Sequence, residues 1–241
     1  MRPLAARRAR FAGGTPRAVR FLLIATAAAY AVELLLVHWL DAAGVVEALW
    51  LVPRDVIERG RVWQVATYMW LHDPAGPWHL LLNLLGLWVF GGPMERRWGA
   101  SALVRFYLLT GAISGGVVLA AGWFLHPDVP TIGCSGAVLA LAAAFGIVHA
   151  NAPILLFGVF PMRARVLLLL IVAMVAVDGL AQREGISVAG HAGGLAAGAL
   201  LVTGWWRPSK LRRALVDRPA ARRRVRFERG DGEREGRPWI N

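Results

Sequence analysis

Three short stretches hold side chains that could act together on a carbonyl group. Gly133-Cys134-Ser135-Gly136 puts a hydroxyl, with a thiol beside it, between glycines. A serine at a helix start is commonly only a cap. It can serve as a nucleophile if a base takes its proton and if donors meet the charge that develops on the attacked oxygen. Free N–H groups and the positive end of the helix dipole supply part of that second need. Ala189-Gly190-His191-Ala192-Gly193-Gly194 offers the base, with glycines on either side that let a neighbouring helix reach the imidazole. His79-Leu80-Leu81-Leu82-Asn83 sets an imidazole and an amide four residues apart, on one face of a helix. Both groups suit oxyanion donation. A metal is not expected, because Asn83 is a poor ligand and no acidic residue is in register. No cofactor is implied.

The expected arrangement is a Ser135–His191 dyad with His79 and Asn83 as extra donors. Cys134 is an alternative, thiol nucleophile. Successive helix residues point ~100° apart, so Cys134 should not face His191 if Ser135 does.

These residues sit in unusually apolar surroundings. The chain has 241 residues, of which 57% are hydrophobic and 17% charged, with a mean hydropathy of +0.51. Soluble domains have about 25% charged residues. The composition excludes a disordered chain and argues against a water-soluble enzyme. One cysteine excludes a disulfide scaffold. Six stretches are expected to cross a bilayer: 21–40, 78–94, 105–125, 134–149, 165–180 and 188–206. The fifth belongs to an apolar run from Ile154 that Pro161, Arg163 and Arg165 interrupt, so its start is set near Arg165. The long connection 41–77 holds Trp50, Trp63, Tyr68 and Trp70, and is expected to lie along the outer membrane surface with short helices of its own. Glu33, inside the first stretch, should face the bundle or a polar crevice.

The net charge of +12 is concentrated at the ends. Residues 1–20 contain six arginines and no acid, while 207–241 contain twelve basic and five acidic residues. Basic ends around a neutral apolar core could bind nucleic acid. The retention of Lys and Arg on the inner side of membranes accounts for them better. The expectation is therefore a basic cytoplasmic segment 1–20, a six-helix core 21–206 in the lipid bilayer, a basic cytoplasmic tail 207–241, and no nucleic-acid partner. With both termini inside, Ser135, His191, His79 and Asn83 all fall near the outer face. Gly190, Gly194 and Gly198 share one helical face, as do Gly136, Ala140 and Ala144. Small faces permit close helix approach, so the fourth and sixth spans are expected to touch.

These residues resemble the rhomboid family of intramembrane serine proteases. The resemblance covers about residues 63–206. It rests on Trp63, His79-x-x-x-Asn83, Leu87-Trp88-Val89-Phe90-Gly91 leading to Glu95 and Gly99, Gly133-x-Ser135-Gly136, and Gly190-His191-Ala192-Gly193-Gly194. It implies an all-α, six-span polytopic membrane protein with Ser135 as nucleophile and His191 as base. His79, Asn83 and the Ser135 N–H would stabilise the oxyanion, and Gly133, Gly136, Gly190 and Gly194 would serve substrate approach and helix packing. Transmembrane proteins, cut near the outer ends of their helices, would be the substrates. Two positions depart from the family pattern. A common Trp-Arg pair reads Trp63-Gln64, and an aromatic residue that stacks on the histidine in some members is Leu139. Two other readings compete: a non-catalytic binding or quality-control factor of the same fold, and a transporter using Glu33, Asp178 and the histidines. No internal inverted repeat supports the latter. The Arg, Ala and Gly bias points to a GC-rich genome, and a bacterial cell membrane is the expected location. The oligomeric state is not legible.

Overall fold

The computed structural model describes residues 14–156, 159–181 and 188–204. The tail 207–241, most of the segment 1–20 and the end of the sixth expected span lie outside them.

Ten α-helices and one hairpin make up the described chain. Helix α1 (Arg17–His38) is followed by three short helices in the long connection, α2 (Ala43–Glu47), α3 (Pro53–Glu58) and α4 (Gln64–Thr67). A 3₁₀ turn, Tyr68–Trp70, ends that connection. Helix α5 (Trp78–Gly86) runs through a π-helical turn, Leu87–Gly91, into α6 (Gly92–Trp98). Then come α7 (Ala100–Leu125), α8 (Ser135–Val148), strands β1 (Pro153–Leu156) and β2 (Phe160–Arg163), α9 (Ala164–Leu180) and α10 (Val188–Thr203). Helices α1 and α7 are long and apolar enough to cross a membrane.

Helix α8 is the centre. From Gly136 to Gly146 nearly every residue is buried, and α10 and α7 pack against it. Its small residues explain how. A methyl added at Gly194 would strike the Gly136 backbone, and one at Gly198 would strike Ala140. Backbones this close gain dispersion contacts that larger side chains would prevent. Ser114 of α7 adds a polar tie, its Oγ donating to the Gly190 carbonyl at 2.7 Å.

The first connection is a folded layer held by specific bonds. Asp55 accepts from Arg59 at 2.6 Å and Arg61 at 2.8 Å. Gln64 is fully buried, its Oε1 accepting from the Val52 N–H and its Nε2 donating to the Ala48 carbonyl. Trp63 Nε1 donates to the same carbonyl. The amide at 64 thus stitches the layer to itself without an arginine. Leu51 and Thr131 exchange backbone bonds, which fasten the layer to the strand-like approach to α8.

Two features depart from an unbroken all-α bundle. The apolar run after α8 opens as an antiparallel hairpin, with Ile154 opposite Met162 and Leu155 opposite Pro161. Pro153 and Pro161 disfavour a helix there, and a two-stranded ribbon tolerates a missing proline N–H because both strands are edges. The π turn at Leu87–Gly91 was also outside the sequence reading. Glycines flank it where space is short, since a methyl at Gly86 would meet Val138 Cγ1 at 2.5 Å and one at Gly91 would meet Val19 Cγ2 at 2.9 Å.

Candidate active site

Helix α8 begins at Ser135, immediately after a turn that only glycine adopts readily. Gly133 has φ +109°, and its N–H donates to the Tyr68 carbonyl at 2.9 Å. That bond ties the turn to the end of the first connection. Residues 135–137 form the first turn of α8, where N–H groups lack intrahelical acceptors and the helix dipole is positive.

Ser135 Oγ and His191 Nε2 lie 2.8 Å apart. The distance follows from the glycine contacts. Helix α10 can lie this close to α8 because Gly194 and Gly198 have no side chains, and Ser114 holds the Gly190 carbonyl one residue before the imidazole. A methyl at Gly136 would run into Ser114 Oγ, so this glycine makes room for the tie.

His79 comes from the first turn of α5 and lies against the Gly133 turn. A methyl at Gly133 would approach the His79 ring to 2.6 Å. Asn83, one turn later, is buried, and its Nδ2 donates to the His79 carbonyl at 3.0 Å. An amide nitrogen carries two hydrogens, so this bond leaves one for another acceptor. His79 is therefore beside the residues that lead into Ser135, and Asn83 is fixed to His79 through the helix.

The arrangement contains a hydroxyl on an imidazole nitrogen, free helix N–H groups and an adjacent imidazole and amide. Chemically it can deprotonate Ser135 as it attacks a carbonyl and can donate to the resulting oxyanion. Cys134 points elsewhere. It is buried, and its Sγ lies 3.6 Å from His72 Nε2. No cluster of metal-ligating side chains occurs among the described residues.

His72 was not foreseen. It is fully buried, its N–H donates to Glu33 Oε2 at 2.9 Å, and its ring centroid lies 5.1 Å from that of His79. Burial, and secondarily the neighbouring His79, bring the His72 imidazole down to about 4. Nothing in the spacing around position 72 marks it. Tyr68 and Ser114 likewise carry no motif, though both hold backbone carbonyls in the core, Tyr68 OH donating to Gly111 at 2.8 Å.

Comparison with known proteins places these residues in a family. A rhomboid domain model matches residues 59–208, more than half of the chain. The chain is 33% identical over 149 residues to RHOMBOID-like protein 4 of Arabidopsis thaliana, covering 61% of this chain and 35% of that protein. Identity to the mitochondrial Rhomboid protein 1 of Saccharomyces cerevisiae is 37% over 137 residues, covering 54% of this chain and 38% of the other. Identity to rhomboid protease GlpG of Salmonella newport is 32% over 96 residues, covering 39% and 32%. The chain spans about a third of the length of these curated relatives. Because they come from a plant, a yeast and a bacterium, they do not single out a bacterial membrane.

Proposed function

This chain belongs to the rhomboid family, whose members are embedded in membranes, and from that premise we propose that it is an intramembrane serine endopeptidase. The observation that carries the reading is the 2.8 Å approach of Ser135 Oγ to His191 Nε2 at the start of the buried helix α8. In this reaction Ser135 attacks the scissile carbonyl and His191 takes its proton. The oxyanion receives hydrogen bonds from the Ser135 N–H, His79 and Asn83. His191 then passes the proton to the leaving amine, and a water, activated by the same imidazole, frees the acyl group from Ser135.

The substrates are transmembrane proteins cut near the outer ends of their helices. The six spans are α1, α5 with α6, α7, α8, α9 and α10, with both termini cytoplasmic. Helix α8 has 14 residues, a rise of ~21 Å against a hydrocarbon core of ~30 Å. A helix this short does not reach across the core, which fits a Ser135 set below the outer membrane surface and open to water from that side.

Purified protein in liposomes with a panel of single-span substrates tests the reading. Wild type is expected to release a fragment cut near the outer end of the span, and Ser135→Ala to release none. A wild-type chain that binds such substrates without cutting them would make this a non-catalytic member.

A further inference from the structure

Glu33 lies on α1, away from the reacting groups, and the chemistry above does not use it. It is 1% exposed. A buried carboxylate is costly to keep and needs a specific partner. Glu33 has one: Oε2 accepts from the His72 N–H at 2.9 Å, while Oε1 makes no hydrogen bond to the described protein. Thr26, Tyr30 and Glu33 are all buried and share one face of α1. Tyr30 OH donates to the Asp73 carbonyl at 3.2 Å. Two side chains on successive turns of α1 thus grip two consecutive backbone positions, 72 and 73, just before α5.

The His72 ring then touches both sides of the site. Its Nε2 is 3.6 Å from Cys134 Sγ, the residue before Ser135, and its ring lies beside His79 at a tilt of 58°. Tyr30 meets the same ring edge-on, with centroids 6.5 Å apart. We infer that Glu33 and His72 are positioning residues for the oxyanion side of this site: α1 holds His72, and His72 sets the spacing between His79 and the Ser135 turn. The inference rests on the protease reading. Glu33 acts through His79 and touches no substrate.

The physical expectation is a loss in the chemical step. A shift of about 1 Å at a catalytic group can cost ~10²-fold. Loosening the grip at position 72 should fall short of that, because Tyr30 still holds Asp73. Glu33→Gln keeps an oxygen acceptor for the His72 N–H and should retain kcat within about 3-fold, whereas Glu33→Leu removes the acceptor and should lower kcat about 10-fold with KM little changed.

The deciding measurement is a double-mutant cycle with His79→Ala, read by cleavage of one single-span substrate in liposomes. If Glu33 works through His79, then Glu33→Leu costs less than about 2-fold in the His79→Ala background. Tyr30→Phe, which removes only one hydroxyl, runs through the same cycle as a milder probe and serves alone if Glu33→Leu does not fold. Losses of equal size in both backgrounds would show a merely structural role and overturn the inference, with Ser135-dependent cleavage by wild type left standing. Wild type that fails to cleave, or Ser135→Ala that cleaves equally well, would remove the protease reading itself and this inference with it.

Discussion

Ser135 and Cys134 are neighbours with different surroundings, and substitution separates them. Ser135 Oγ meets His191, while Cys134 Sγ meets His72. Ser135→Ala is expected to abolish cleavage, and Cys134→Ala to stay active, when both are measured on the same substrate. Asn83→Ala should lower kcat by up to ~10²–10³, the scale for loss of one oxyanion donor, with His79 and the Ser135 N–H limiting the damage. A change confined to KM would speak against that role. His72 yields a prediction for stability. Its imidazole is lowered to about 4 in the fold, from a usual value near 6.5. Between those values the unfolded chain binds a proton at this site and the folded chain does not. The stabilisation is therefore complete above about pH 6.5 and is lost as the pH falls toward 4. Thermal unfolding midpoints should drop over this window in wild type, and by less in His72→Phe.

At the scale of elements, the contact between α8 and α10 governs the dyad. Gly194→Leu would drive a branched side chain into the Gly136 backbone. Overpacking in cores costs ~1–3 kcal/mol, which a bundle can survive by shifting a helix. A shift of ~1 Å would nonetheless cost ~10²-fold in rate. The expected protein inserts, purifies and barely cleaves. Leu200→Phe, at a position 50% exposed, should keep both its melting temperature and its turnover. This contact was legible in the sequence because glycine every four residues has a direct geometric meaning, with His191 directly after the first of those glycines. The hairpin was less legible, since the run 154–177 is apolar apart from Pro161, Arg163 and Arg165, and these mark a break without announcing a strand pair. The π turn has no residue signature beyond glycines that also suit an ordinary helix. Glu33 was visible as a carboxylate in an apolar stretch, but its partner is a backbone N–H, which no side-chain pattern can announce. His72 owes its place to the path of the connection and not to its neighbours in sequence.

Across the whole molecule, the proposed orientation rests on the basic residues at the two ends of the sequence. With Lys and Arg retained inside, reporter fusions at both termini should read cytoplasmic. A C-terminal reporter on the outer side would require an odd number of spans and would separate Ser135 from the donors expected on its side of the membrane. The connection 41–77, outer in the proposed orientation, should resist proteases added from that side, because Asp55, Gln64 and Trp63 bind it to itself and Leu51 binds it to Thr131. Asp55→Asn removes a charge from two short arginine contacts and should expose new cleavage points there, detectable by limited proteolysis.

Two bonds at the start of α1 bear on how the chain is made. The Ala18 and Val19 N–H groups open α1, and both donate to the Glu95 carboxylate, at 2.9 and 2.8 Å. Glu95 is 77 residues further along than Ala18. At synthesis rates of about 5–20 residues per second, α1 emerges roughly 4–15 s before the residue that completes its first turn. During that interval Glu95 cannot accept from these N–H groups, and water is the ready substitute. The expectation is that the start of α1 is held loosely until the segment carrying Glu95 has been made. A nascent chain released short of residue 95 should leave α1 readily extracted from the membrane. One released just past Trp98 should hold it.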